Sequence, residues 1–271
     1  MGLSSGDRVP DARSIWLFQD NLVKQNLEET LFDQFHNYLE DKGLFVNEGK
    51  IVDASFVEVP RQRNKKDENE KIIVRLRSLT KSGEGSELWN DNPYKKRQKD
   101  IDARWMVGER SRTTEKNGEK YYGYKNHAKI DSKSKLIDTY DVTSAEVHDS
   151  QPIENLLRED DSGQELYADS AYTGEPIDKM LKTRSIIPQI IEKAFKNKPL
   201  TDEQKALNKI KSKTRCRVEH PFGFVTNSMH DFYTRNIGFR RVKGVIGLIN
   251  LVYNMCRYEQ IIRLQLLPVR C

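Results

Sequence analysis

The chain has 271 residues, of which 36% are hydrophobic and 32% are charged. This length and composition predict one large domain, or one core domain with a small appendage, with a modest core and a heavily charged surface. The net charge of +5 and the pI near 8.9 are compatible with a polyanionic partner.

The cysteines and the apolar segments exclude several classes of protein. Cys216, Cys256 and Cys271 are too widely spaced for a disulfide framework or a Cys-x-x-Cys metal site. The amino terminus, MGLSSGDRVPD, lacks the apolar region of a signal peptide, and residues 244–256 are too short and interrupted to span a bilayer. We therefore expect a soluble protein of the cytoplasm.

The amino-terminal part predicts a helical hairpin, with helices over Ser14–Asn26 and Leu27–Lys42. Apolar side chains between Leu31 and Leu39 recur on one face of the second helix, and Gly43 ends it. Such a hairpin cannot bury its apolar surface alone, so we expect residues 1–45 to dock on the body. It is either a packing appendage or a partial DNA-binding and dimerisation domain.

The first strand is predicted over Lys50–Val59, where β-branched and aromatic residues run up to Pro60. Asp53 interrupts this apolar run. Because a buried carboxylate without a partner is costly, Asp53 needs a hydrogen-bond donor, a base or a cation.

Residues 61–120 form a charged insertion whose sequence indicates loops that are either functional or disordered. Within it, Ile72–Leu76 is compatible with one short strand. Trp89 and Trp105 predict that parts of the insertion are held against the body.

The remaining pattern predicts alternating strands and helices. First come a hairpin of strands at Tyr121–Ile130 and Leu136–Val147, a helix capped by Ser150 and a strand at Glu165–Ala168. A helix at Glu175–Lys182 and a strand at Ile186–Ile191 follow. The last elements are a basic helical region from Thr201, which Pro221 interrupts, and a helix at Val242–Leu264. This order predicts a mixed α/β sheet of about five strands flanked by helices. It is the element order of a ribonuclease-H-like domain, which we expect over residues 46–271.

Three acidic residues converge on that fold. Asp169 ends the strand Glu165–Ala168, at the edge where open α/β sheets bind ligands, although an Asp there is more often a cap or a turn former. The first strand lies beside the fourth, and a late helix crosses their ends, so Asp53, Asp169 and Glu219 come together. Carboxylate oxygens in such a group suit Mg²⁺ or Mn²⁺. For Glu219 the alternative is a simple intrahelical pair with Arg215.

Several runs, in the same order as in a known family, carry a resemblance. They are IVDASFVEVPRQRN, DNPYKKRQKDIDARW, YYGYKNHAKID, VTSAEVHDSQPIENLL, LYADSAYTG, NKPLT and RVEHPFG. The chain resembles the DDE transposases of bacterial insertion sequences, in the insertion sequence five group. This resemblance implies that Asp53, Asp169 and Glu219 are the catalytic, metal-binding triad, with two Mg²⁺ ions that Mn²⁺ can replace. It implies cleavage of double-stranded DNA at inverted repeats and strand transfer into a target by a synaptic homodimer.

The chain also departs from this family. The family signature has a Tyr seven residues before its Glu, an Arg four before it and a Lys seven after it. Here Ser212 and Thr226 occupy the outer positions, and only Arg215 matches. Residues 71–84 and 106–114 are atypical, and little sequence precedes GDRVPDARSIWLF. The alternative is therefore a weak or inactive remnant that binds DNA ends without cutting; a cellular nuclease of the same fold is a third interpretation.

Basic residues near these acids are candidate DNA contacts. They are Lys125, His127, Lys213, Arg215, Arg217, Arg240 and Arg241. Lys125 and His127 share one face of a strand, where a cross-strand polar pair is the alternative. Arg240 and Arg241 belong to a basic cluster, with Arg235 and Lys243, that suits phosphate contacts or a solvated face.

Further polar residues are secondary candidates. Asp102 is an extra carboxylate that could reach the metals. His148 and Asp149 precede a predicted helix, and we expect them to cap it.

Overall fold

The computed structural model describes residues 9–62, 65–68, 89, 91–106, 121–194, 199–229 and 231–270. The two predicted amino-terminal helices are present as α1 (Ala12–Lys24) and α2 (Leu27–Asp41). Asp11 caps α1, because its carboxylate accepts a hydrogen bond from the backbone N–H of Ser14 at 2.7 Å. Gly43 ends α2 with a φ of 69°, in the left-handed region that glycine adopts without strain.

The centre of the molecule is a mixed sheet, with six strands among the described residues. They are β1 (Lys50–Glu58), β2 (Arg104–Trp105), β3 (Tyr122–Asp131), β4 (Ile137–Ser144), β5 (Glu165–Ala168) and β6 (Ile187–Ile190). The main order is β4-β3-β1-β5-β6, antiparallel among the first three and parallel from β1 to β6. The sixth strand, absent from the prediction of about five, is β2, which pairs with β3 at Tyr122 and Gly123. Two residues are too few to show a period in the sequence.

Helices cover both faces of this sheet. They are α3 (Pro93–Gln98), α4 (Ile153–Leu156), α5 (Glu175–Thr183), α6 (Asp202–Arg215), α7 (Glu219–Ser228) and α8 (Phe239–Arg263). Thr201 caps α6 as predicted, and a 3₁₀ turn over Cys216–Val218 separates α6 from α7, where Pro221 lies in the first turn. The N-cap of α4 is Pro152, so the prediction that Ser150 caps this helix is wrong. Within the described ranges, no helix combines the length and the apolar character needed to cross a membrane.

Two cores lie on opposite faces of the sheet. Ile51 belongs to the core that α7 and α8 cover, whereas the next residue, Val52, belongs to the core beneath α4 and α5. This alternation follows from the period of two along a strand. It fixes which face each β1 side chain occupies, including that of Asp53.

The hairpin of α1 and α2 docks against α8, which confirms that prediction. Gly244 lets α1 approach closely, because a Cβ atom at this position would lie 2.3 Å from a methyl group of Val23. Polar contacts surround this packing. They join Arg240 to the Lys24 carbonyl oxygen at 2.6 Å, Arg241 to Asp20 at 2.8 Å, and Lys243 to Glu29 at 2.7 Å. Three members of the basic cluster, Arg240, Arg241 and Lys243, therefore hold the hairpin through groups that lie some two hundred residues away in the sequence.

A buried ionic network fixes the other side of the hairpin. Asp138 on β4 contacts His36 Nε2 at 2.9 Å, Lys50 Nζ at 2.9 Å and Lys129 Nζ at 3.2 Å. Lys129 Nζ also lies 2.5 Å from Asp161. None of these five side chains is more than 3% exposed. The network ties α2 to three strands of the sheet.

Trp105 holds part of the insertion against the body, as predicted, because its ring lies 5.2 Å from that of Tyr122 on β3. The indole N–H of Trp89 donates at 3.1 Å to Glu68, which belongs to the insertion itself. The predicted strand at Ile72–Leu76 lies outside the described residues.

Candidate active site

Asp53 and Asp169 lie on adjacent parallel strands. The pairing of β1 with β5 sets Lys50 against Leu166 and Ile51 against Tyr167. Two residues further along the same register, Asp53 is next to Asp169, the residue that follows β5. Both residues therefore lie where β5 ends, at the edge where open α/β sheets bind ligands.

Asp169 also shapes the turn that follows it. Its carboxylate Oδ1 accepts a hydrogen bond from the backbone N–H of Ala171 at 2.8 Å and caps the 3₁₀ turn Ser170–Tyr172. Asp169 therefore forms the turn, as the alternative interpretation holds, and it does so through its Oδ1 atom. The same bond fixes the orientation of the carboxyl group, because a capped turn holds its side chain in place.

Asp53 has the cationic partner that its position in an apolar strand requires. Arg215, the last residue of α6, places its Nη1 atom 2.7 Å from Asp53 Oδ2, and both side chains are about three quarters buried. The other carboxylate oxygen of Asp53 accepts from the Ala54 N–H at 2.9 Å. Arg215 contacts Asp53 across 162 positions of the sequence, so it brings the end of α6 to the carboxylates.

A buried hydroxyl lies among these charged groups. Tyr172 is fully buried, and burial together with the carboxylates of Asp53, Asp149 and Asp169 raises its pKa well above the ordinary value, whereas Arg215 acts in the opposite direction. Asp53, Asp149 and Asp169 therefore all lie near enough to the Tyr172 hydroxyl to act on it electrostatically. Among the residues the structure describes, the Tyr172 hydroxyl has no hydrogen-bond partner.

Asp149 and Tyr172 are the residues that the sequence interpretation missed at this site. Asp149 was expected to cap a helix, but it pairs with Lys125 Nζ at 2.7 Å, and α4 begins four residues later. Lys125 also donates to the Val147 carbonyl oxygen at 2.6 Å. A signal was present in the sequence, because a lysine in a buried strand requires an acid.

Glu219 is placed differently from the two aspartates. It is exposed at the start of α7, four residues after Arg215. Within the described residues, no three Asp, Glu, His or Cys side chains are grouped closely enough to hold a metal ion. By donor chemistry Asp53 and Asp169 fit a hard divalent cation such as Mg²⁺ or Mn²⁺. The register of β1 and β5 makes these two residues neighbours, whereas Glu219 is exposed at the start of α7.

The candidate DNA contacts on β3 are buried. His127 is fully buried, its Nε2 atom lies 2.8 Å from the Thr143 hydroxyl, and burial lowers its pKa to about 4. Lys125 is 6% exposed and occupied by Asp149. His127 therefore makes a cross-strand polar contact, as in the alternative interpretation, whereas Lys125 pairs with Asp149 beyond the end of β4.

The other predicted contacts fall into two groups. Lys213 is exposed on α6, which buries none of its residues, and Arg217 donates to the Ser132 carbonyl oxygen at 3.0 Å. Asp102 lies at the start of α8, where its carboxylate accepts from the Phe239 N–H at 3.1 Å. Burial raises the pKa of Asp102, and its cap on α8 gives it a structural role.

The family described as Transposase DDE domain matches residues 45–255. The chain belongs to the DDE transposase family. The matched region of this transposase begins just before β1, ends within α8 and contains Asp53, Asp169 and Glu219. DNA transposition, a form of DNA recombination, is the process in which this family acts.

A solved structure is also similar to this transposase. It is the crystal structure of a pre-cleavage Mos1 transpososome, with 11% sequence identity and a TM-score of 0.26 over 96% of this chain and 67% of that chain. The family assignment rests on the sequence match.

Proposed function

We propose that this chain is a metal-dependent DNA transposase of the insertion sequence five group. It cuts DNA at the ends of an insertion sequence and transfers the cut strand into a target. The observation that carries the proposal is the meeting of Asp53 and Asp169 where β5 ends beside β1, with Arg215 on Asp53. The strand order, with β1 between an antiparallel hairpin and two parallel strands, supports a ribonuclease-H-like domain over residues 46–271. Residues 1–45 form the amino-terminal unit.

In this proposal Asp53 and Asp169 hold the metal, and Glu219 is the third member of the triad by the resemblance of its run, RVEHPFG, to the family. These carboxylates would hold two Mg²⁺ or Mn²⁺ ions, and the chemistry supplied there would be Lewis-acid activation of the attacking oxygen and stabilisation of the leaving oxygen. The chain itself orients the carboxylates: the Ala171 N–H fixes Asp169, and Arg215 fixes Asp53.

The partner is double-stranded DNA, both the inverted repeats and the target, bound by a homodimer at the bacterial nucleoid in the cytoplasm. Lys213 and Arg217, near the end of α6, are the predicted contacts closest in sequence to Arg215 and Glu219. Sedimentation of the protein with and without an inverted-repeat duplex tests the dimer. A complex of one protein chain per DNA end, without pairing of ends, would contradict it.

The catalytic test compares matched Asp→Asn variants on a linear duplex that carries the inverted repeats flanking the gene. We expect Asp53→Asn and Asp169→Asn to lower Mg²⁺-dependent cleavage by at least about 100-fold, or about 2.7 kcal/mol of transition-state stabilisation. Asp178→Asn, an exposed position on α5, is the control and should keep full activity. Cleavage by the site variants at the wild-type rate would refute the catalytic assignment.

A second candidate function is a DNA-binding remnant that occupies insertion-sequence ends without cutting. Two observations favour it: Glu219 is exposed outside the group of aspartates, and Ser212 and Thr226 occupy two signature positions. Wild-type protein that shifts the inverted-repeat duplex in a gel, yet cuts it at no Mg²⁺ or Mn²⁺ concentration, would establish the remnant. Calorimetric titration with Mn²⁺ gives an independent measurement, because the remnant should bind the ion no better than Asp53→Asn does.

A further inference from the structure

We propose that a basic groove beyond the end of β1 binds the phosphate backbone of duplex DNA away from the cleavage site. This proposal rests on the proposed function, since it takes DNA as the partner. The basic groove is defined by Arg61, Arg97, Lys99 and Arg235 and has a volume of about 380 Å³. Of these four residues, Arg235 belongs to the basic cluster named from the sequence, whereas Arg61, Arg97 and Lys99 were not predicted as DNA contacts.

The described lining of the basic groove carries an excess of positive charge. Among the described residues that line it, these four are cations and Asp100 is the acid. Asp100 is buried and directed inward, because each of its carboxylate oxygens lies 2.8 Å from the Tyr124 hydroxyl.

Backbone contacts occupy the Asp100 carboxylate further. Its Oδ1 atom accepts from the N–H groups of Asp102 and Ala103 at 3.0 and 3.2 Å. The Asp100 carboxylate is therefore occupied by hydrogen bonds within the fold. Arg61, Arg97 and Arg235 are exposed towards solvent.

The walls of the basic groove are held in place by the sheet. The Glu58 N–H donates to the Phe232 carbonyl oxygen at 2.8 Å, and the Thr234 N–H donates to the Glu58 carbonyl oxygen at 3.0 Å. These bonds fix the segment that carries Arg235 along the end of β1. The guanidinium of Arg61 lies 5.3 Å from the centre of the Trp105 ring. A site whose groups are already ordered loses less conformational entropy when it binds.

The chemistry of these side chains matches a phosphodiester. A guanidinium presents parallel N–H donors that fit two phosphate oxygens, and it keeps its charge at every physiological pH. Such contacts position a duplex without reading its sequence. Three arginines and a lysine around one groove therefore fit the backbone of DNA.

The position of the basic groove gives the DNA a path from the candidate site. Beyond Asp53, β1 continues to Glu58, whereas β5 ends one residue before Asp169. Val59, in the groove wall, lies six residues after Asp53, or about 20 Å at about 3.3 Å per residue. That distance is about six base pairs at about 3.4 Å each. A duplex cut at Asp53 and Asp169 would reach the basic groove about half a helical turn away.

The test measures binding of a random-sequence duplex to the full chain as a function of salt concentration. Arg97→Ala combined with Arg235→Ala should weaken binding about tenfold or more. It should lower the slope of log K against log salt by about 2, at about 0.9 per phosphate contact. The control, Lys182→Ala with Arg263→Ala, removes the same charge from α5 and from the far end of α8. At about 1.5 Å per residue, Arg263 lies about 36 Å along α8 from the start of this helix, which follows Arg235 in the chain. It should leave the slope unchanged.

An unchanged slope in the groove variant would overturn the proposal, and so would an equal loss in the control, which would indicate bulk charge alone. Equal competition by single-stranded DNA would also overturn it, because the proposal commits to a duplex. Cleavage is scored separately on wild-type protein with the inverted-repeat substrate. If binding depends on the groove but no cleavage occurs, the proposed catalytic function is refuted and the basic groove is supported. If cleavage occurs but binding does not depend on the groove, the catalytic function is supported and the basic groove is refuted.

Discussion

Replacing Asp138 with Asn keeps the shape of the side chain but removes the negative charge that faces His36, Lys50 and Lys129. All of these groups are at least 97% buried. Breaking a buried ion pair by removing one partner destabilises a protein by about 3–5 kcal/mol, because the other charge stays buried without compensation. Lys129 keeps its contact with Asp161, so Lys50 is the lysine that loses most. We therefore expect a loss near the lower end, about 3 kcal/mol.

Such a loss is large against the total stability of a domain, which is about 5–15 kcal/mol. Urea unfolding of wild-type protein and Asp138→Asn, followed by circular dichroism, measures it. Asp160→Asn is the matched control: it is exposed near the same network and should change stability by less than about 0.5 kcal/mol. A loss below about 1 kcal/mol for Asp138→Asn would refute the reasoning, since the network would then contribute little.

The acid range gives a second measurement of the same network. Burial alone would raise the pKa of Asp138, but the hydrogen bond from His36 and the charges of Lys129 and Lys50 hold it well below the ordinary value. The resulting stabilisation is complete above the pKa of an unfolded Asp, about 3.9, and is lost as the pH falls further below that value. Asp138→Asn should therefore flatten the acid part of the stability profile, and an unchanged profile would contradict the network.

Three further predictions concern packing and protonation. Gly244→Ala should lower stability by about 1–3 kcal/mol, because the new Cβ atom would overlap Val23; hydrogen exchange should show α1 loosening first, and unchanged protection would contradict this. Asn250→Ala should destabilise the chain by about 1–3 kcal/mol in urea unfolding, since it leaves the fully buried Asn126 without the amide pair at 2.9 and 3.2 Å, and a neutral result would contradict it. Burial lowers the pKa of His127 from 6.5 in the unfolded chain to about 4 in the fold. The stability that its neutral imidazole allows is therefore complete above pH 6.5 and is lost as the pH falls towards 4. His127→Gln should reduce that loss in thermal unfolding between pH 7 and pH 4, whereas an unchanged pH profile would place the loss elsewhere.

The central strands and the position of the two aspartates could be predicted because their signals are local. The apolar run before Pro60 sets β1, and the four residues before Asp169 set β5 at the predicted bounds. The need of Asp53 for a hydrogen-bond donor, a base or a cation followed from the energy of a buried carboxylate. Its partner, Arg215, is 162 positions away, so only the folded chain reveals the pair.

Long-range pairing explains what the sequence could not reveal. Arg240 and Arg241 look like an acid-free cluster in sequence, and their partners on the hairpin become visible only when α8 meets α1. Asp149 is held beside the candidate site by its ion pair with Lys125, which lies on β3. Tyr172 gave no signal of its own, since a buried aromatic in a turn is ordinary core packing.

The contact between Arg215 and Asp53 has a consequence for the life of the protein before it meets DNA. A cluster of acids that depended on metal would leave a newly made chain strained until ions arrived, and chelation would unfold it. Here the guanidinium at the end of α6 already stands where positive charge is needed, 2.7 Å from the Asp53 carboxylate. Arg215 therefore supplies a positive charge beside Asp53 without a metal ion. Under the proposed function, an ion at Asp53 would have to displace or share this arginine, and that exchange would link the metal site to the end of α6.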